Sequence, residues 1–182
     1  MKYQREAFER VEKEGENIGH TEERDSARPE YKTMGGRVVF GGGGITPDYI
    51  VKPEHLDEYS VQLRSKLVFL QFAEEFVDKH GAETKSQFGD DAVHYASDFD
   101  VTRDMLDRVV TIGTSKGVEF KKDLYEKDLH FIKAFAKAYI ARSLWGNEGF
   151  SRVILREDVQ FQKALSLFPE AEAIAKNIPS AK

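Results

Sequence analysis

From Leu56 onward the apolar residues recur at helical rather than strand spacing, and this periodicity constrains the fold more than any other feature of the chain. Leu56, Tyr59, Leu63, Leu67, Leu70 and Val77 form one stripe, and Phe69, Phe72 and Phe76 widen it into an arc that has to be buried. Pro53 suits a first helical position, Glu54, Asp57 and Glu58 favour the positive end of the helix dipole, and Gly81 supplies a stop. The spacing therefore predicts one long helix between Pro53 and Gly81.

Residues 82–100 are polar and aperiodic and read as a loop. Thr102 is a candidate cap, with Val101 and Leu106 as its hydrophobic staple, for a second helix that runs through Val109 and Ile112 to Gly113 or Gly117. A third helix is expected from about Phe120 to Trp145, carrying Leu124, Phe131, Phe135 and Ala138 and ended by Gly146. The fourth starts near Phe150, passes Val153, Ile154, Phe161 and Leu165, and breaks before Pro169, leaving a last short turn, "EAEAIAKN".

Upstream the pattern changes. "RVVF" (37–40) and "DYIV" (48–51) are β-branched or aromatic and bounded by Gly and Pro, so both read as strands. Two strands alone are marginal in water and want either the helices or a further sheet. Residues 1–34 carry dense charge with one thin helical stripe, Tyr3, Ala7, Phe8 and Val11, and 15–32 hold few apolar anchors to offset ordering entropy. The expected fold is mainly α: a charged arm with one short helix (1–34), a Gly-rich β segment (35–52), and a helical domain (53–182) built as a bundle of about four helices.

Composition narrows function by exclusion. With 27 Lys and Arg against 32 Asp and Glu, the net charge of -5 disfavours a nucleic-acid or anionic-membrane partner. The absence of cysteine rules out disulfides, thiolate nucleophiles and thiolate metal sites, yet leaves the compartment open. No stretch approaches the roughly 20 apolar residues of a membrane span, and the start is too charged for a secretory signal.

The candidate chemistry is sparse. The run Gly41–Gly44 ends in Ile45-Thr46-Pro47 and matches neither GxxxxGK[ST] nor GxGxxG, so phosphate binding is not indicated. His20, His55, His80, His94 and His130 show no metal-ligand spacing, and no metal or other cofactor is expected. Asp90-Asp91, Asp104 with Asp107, and Glu74-Glu75 with Asp78 read as solvated faces rather than acid–base pairs. There is no GxSxG or SxxK, and Ser115 and Lys116, though adjacent, should diverge at a helix end, so no catalytic residue is assigned.

One joint pattern is more specific. "YKTMGGRVVFGGGGITPDYIV" resembles the segment near the end of the catalytic core in C-terminal-processing (tail-specific) serine peptidases, through Tyr31, Thr33, Gly36, Arg37, Phe40, Gly41, Gly42, Gly43, Gly44, Ile45, Pro47 and Asp48. "AYIARSLWGNEGFSRVILREDVQFQKAL" is similar to the helical extension of one branch of that family. The family is similar in using a serine nucleophile and a lysine base upstream of this segment, and neither is identifiable here.

The resemblance implies that Thr33, Gly36, Arg37, the four glycines, Ile45, Pro47 and Asp48 support a peptidase core without catalysing. It implies partners in the core of the same parent chain and in protein or peptide substrates, and a periplasmic or envelope location, with the signal not in this chain. The helical part would dock on the core, gate substrate or oligomerise, and an open strand edge predicts self-association. The alternative is an independent helical interaction module.

Overall fold

The computed structural model describes residues 30–36, 38–40, 49–52 and 54–176. It is mainly helical: β1 (Glu30–Lys32), β2 (Val38–Phe40), α1 (Glu58–Ser65), α2 (Val68–Phe88), α3 (Ala92–Asp98), α4 (Arg103–Ser115), α5 (Lys122–Lys127), α6 (Leu129–Glu157), α7 (Val159–Ser166) and α8 (Phe168–Lys176). The chain divides into two compact units, Pro53–Ser166 and Met1–Lys52 with Leu167–Lys182.

In the first unit α2 and α6 form the central pair, α3 lies on α6, and α4 lies on α2. The buried face of α6 contributes Ile132, Ala136, Ile140 and Ala141, and the small residues allow close approach of its neighbours. Phe69 of α2 meets Phe135 and Tyr139 at ring-centre distances of 5.5 and 6.1 Å. Tyr95 of α3 is wedged between Phe99 at 4.6 Å and Trp145 at 4.8 Å. Trp145 in turn donates its Nε1–H to the carbonyl of Gly89, which ties α6 to the α2–α3 turn at 3.0 Å.

The predicted long first helix is two helices. Lys66 ends α1, and Leu67 adopts a left-handed conformation with φ 55° before α2 starts at Val68. In an unbroken helix Leu63 and Val68, five residues apart, would point in different directions; the break lets both be fully buried. Pro53 lies outside the described residues, and the helix begins at Glu58.

Gly81 does not stop α2, which continues to Phe88. A Cβ there would lie 2.9 Å from Val77 Cγ1 and 3.6 Å from Leu144 Cδ2, so the glycine serves packing. The stop is Gly89, at φ 57°. The stretch expected as a loop also holds α3, capped by the Asp91 carboxylate, which accepts from the N–H groups of Val93 and His94. Ala92, Tyr95, Ala96 and Phe99 provide its inward face.

Further along, Thr102 caps α4 as expected, its side chain accepting from the Met105 N–H. The third predicted helix is divided at Asp128, which is buried and accepts from the Asp57 N–H at 2.8 Å. Gly146, at φ 67° and ψ -155°, breaks α6 where the sequence placed a terminus. Past that kink α6 resumes, and Asp158 then starts α7 by accepting from the N–H groups of Gln160 and Phe161.

In the second unit β1 and β2 pair antiparallel, with Glu30 opposite Phe40, Tyr31 opposite Val39 and Lys32 opposite Val38. Of the two stretches read as strands, only the first holds one among the described residues. Tyr49–Val51 are not in a strand, and the partner of β2 comes from the stretch read as arm. The turn explains the choice: the Gly36 N–H donates to the Thr33 carbonyl at 2.9 Å, and Gly36 takes φ 80°, which glycine adopts freely. Closing so short a loop costs less entropy than bridging the glycine run. Within the same unit the Tyr49 hydroxyl donates to Glu170 of α8 at 2.7 Å.

Candidate functional site

A cleft of about 470 Å³ opens between α2 and the start of α4. Helical spacing builds its α2 wall, since Phe72, Phe76, Lys79, His80, Glu83 and Gln87 lie three or four residues apart on one face. The opposite wall comes from the α3–α4 connection and the first turns of α4, with Phe99, Asp100, Asp104, Met105 and Arg108. Phe72 is fully buried beneath the cleft, Phe76 meets it at 6.2 Å, and Phe99 stands edge-on to Phe76 at 5.9 Å and 83°. His80 lies against Phe76 with ring centres 5.1 Å apart, and its Nδ1 is 3.8 Å from Glu83.

Charge is distributed unevenly over this floor. Glu75 is bound by Arg108, with Nε at 2.8 Å and Nη2 at 2.7 Å, and accepts from Gln71 at 3.0 Å. The Gln71 hydrogen bond, then the Arg108 guanidinium, hold its carboxyl below the usual range. Glu75 and Arg108 thus neutralise each other. The lining that remains sets Glu83, Asp100 and Asp104 against Lys79. The α4 N-terminus is already served by the Thr102 cap and by Asp104 in its first turn.

The cleft therefore offers aromatic surface with a net negative rim. Among the described residues no three His, Asp or Glu side chains converge as metal ligands. Ser115 and Lys116 do diverge: the hydroxyl donates to the Ile112 carbonyl and the ammonium to the Lys66 carbonyl, so they form no nucleophile–base pair. Lys137, over the Tyr95 ring at 5.9 Å, has its pKa lowered by burial, and burial pushes the Tyr95 hydroxyl up.

Of the motif residues, Thr33 and Gly36 form the β1–β2 turn. Arg37, Gly41, Gly42, Gly43, Gly44, Ile45, Pro47 and Asp48 lie outside the described residues. None of the cleft residues was singled out for binding from sequence; Glu75 and Asp104 read as solvated faces, and His80 as one of five histidines without metal-ligand spacing. The available signal was the Phe72, Phe76, His80 spacing followed by Phe99-Asp100, which acquires meaning only once α4 closes over α2.

Residues 59–146 match the model of a family of unknown function (DUF8443). The matched stretch lies within the Pro53–Ser166 unit and contains the whole cleft lining. No curated protein and no solved structure matches the chain.

Proposed function

We propose that this chain is the C-terminal, non-catalytic part of a serine endopeptidase that processes protein C-termini, and that it supports or regulates the catalytic core. The observation that carries the reading is the motif from Tyr31 to Asp48, whose first half is a two-stranded hairpin with exposed apolar side chains. Tyr31 is 58% exposed, Val38 48%, and Met34 and Val39 are exposed beside them. Such a ribbon gains stability by joining a larger sheet, and the core of the same parent chain is the partner proposed for it. The envelope location and protein substrates belong to the same proposal.

The test begins with the reading frame upstream of Met1 in the source genome, where an in-frame extension carrying a serine and a downstream lysine is expected. Fluorogenic peptide assays should then find no serine-dependent hydrolysis by this chain alone, and hydrolysis by the extended protein that falls when residues 30–52 are deleted. A stop codon directly upstream overturns the reading.

A second reading, an independent helical interaction module, is favoured by the family match, which covers 59–146 and leaves out the hairpin. It predicts that residues 53–166 expressed alone fold cooperatively and keep whatever binding the full chain shows.

A further inference from the structure

We propose that the cleft between α2 and α4 binds a peptide segment in which an apolar or aromatic side chain is followed by lysine or arginine. The inference stands on the helical unit alone and does not require the peptidase reading. Size is the first argument: about 470 Å³ falls within the roughly 300–1,000 Å³ of clefts that take small ligands or a few residues of chain. Shape is the second. The floor is apolar and aromatic, from Phe72, Phe76, Phe99 and Met105, so the occupant has an apolar body.

Charge complementarity then chooses the rest of the occupant. With Glu75 and Arg108 engaged with each other, the lining carboxylates Glu83, Asp100 and Asp104 outnumber the lining ammonium of Lys79, with His80 beside Glu83 and Lys137 near Asp100. An anion would be repelled by this rim, and the helix N-terminus that could otherwise attract one is filled by Thr102 and Asp104. A cation beside an apolar group satisfies both features. Arginine and lysine also carry long apolar stems that lie along such a floor while their charged ends reach a carboxylate. Polypeptide is favoured over a free organic cation because the Gln87 side chain also lines the cleft, and its amide suits both the N–H and the C=O groups of a backbone.

The experiment titrates the full chain with two blocked tripeptides, acetyl-Phe-Leu-Arg-amide and acetyl-Phe-Leu-Glu-amide, by calorimetry at low and at moderate salt. The arginine peptide should bind at least about tenfold more tightly than the glutamate peptide, with the difference shrinking as salt is raised. The double variant Asp100→Asn with Asp104→Asn, at two exposed positions, should fold with unchanged helix content and lose about fivefold in affinity for the arginine peptide. Phe99→Leu, kept as a second variant, should weaken both peptides alike. Equal affinity for the two peptides, no binding at millimolar concentration, or affinity untouched by the asparagine pair each overturns the proposal.

Discussion

Lys66 and Lys116 cap each other's helices: the Lys66 ammonium donates to the carbonyls of Lys116 and Gly117 at 2.9 Å each, and the Lys116 ammonium donates to the Lys66 carbonyl at 3.0 Å. Each side chain brings positive charge to a helix C-terminus, where the last carbonyls lack partners and the dipole is negative. The clasp fixes the end of α1 against the end of α4, and it stands directly before the strained Leu67. Lys66→Met and Lys116→Met should each cost about 0.5–1 kcal/mol in urea unfolding, and the double variant should cost less than the sum. Two single variants as stable as the parent would show the clasp to be inert.

Leu67 holds a left-handed backbone that ordinary residues enter at a cost of roughly 1–2 kcal/mol, and its side chain is 55% exposed, so burial returns little. Leu67→Gly relieves the strain while adding about 0.5–1 kcal/mol of unfolded-state entropy cost, for a small net gain in stability. Leu67→Val, stiffer at its branched carbon, should be the least stable of the three. Thermal midpoints in the order Gly, Leu, Val are expected, and Val equal to or above Gly contradicts the strain argument.

Gly149 permits the fold-back of α6 after its kink. A Cβ at this position would lie 2.6 Å from the Ala141 carbonyl oxygen and 3.0 Å from Trp145 Cβ, both parts of the backbone or close to it and unable to swing aside. Gly149→Ala should therefore destabilise by about 2 kcal/mol, although alanine is the better helix former in isolation. Denaturation showing no loss would mean that the kink relaxes freely.

Alkaline pH should unfold the helical unit through its buried phenols. Burial, with a smaller contribution from Tyr125, raises the Tyr59 hydroxyl to about 12, above the ordinary 10. The folded state then holds its proton more tightly than the unfolded chain, so this stability is fully present below pH 10 and is lost as pH rises from 10 through about 12. Burial raises Tyr95 in the same direction. Lys137, lowered by burial, acts oppositely at pH values below the ordinary lysine range, where stability rises slightly with pH. Urea midpoints for the natural chain should fall steeply above pH 10, and Tyr59→Phe should flatten part of that slope by an amount on the order of 2 kcal/mol at pH 12. An unchanged slope in the variant would remove Tyr59 from this account.

The sequence by itself determined the helical class, because a stripe such as Tyr59, Leu63, Phe69, Phe72 and Phe76 has no other way to be buried. It also located the Thr102 cap and the break at Gly146, since both depend on neighbours within one turn. What it placed wrongly depends on distant residues. Gly81 looks like a stop in a linear string, but Leu144, far along the chain, makes it a packing position. Leu67 looks like one more apolar residue of a stripe, and only the joint burial of Leu63 and Val68, held by Lys116, forces the helix to break there. Residues 48–51 read as a strand, whereas β2 pairs across the Thr33–Gly36 turn with residues that read as arm. The cleft belongs wholly to tertiary structure, because Phe76 and His80 become a wall facing Phe99 and Asp100 only when α4 packs across α2. Local propensity acts over one turn of chain, whereas a binding surface forms from elements that burial brings together.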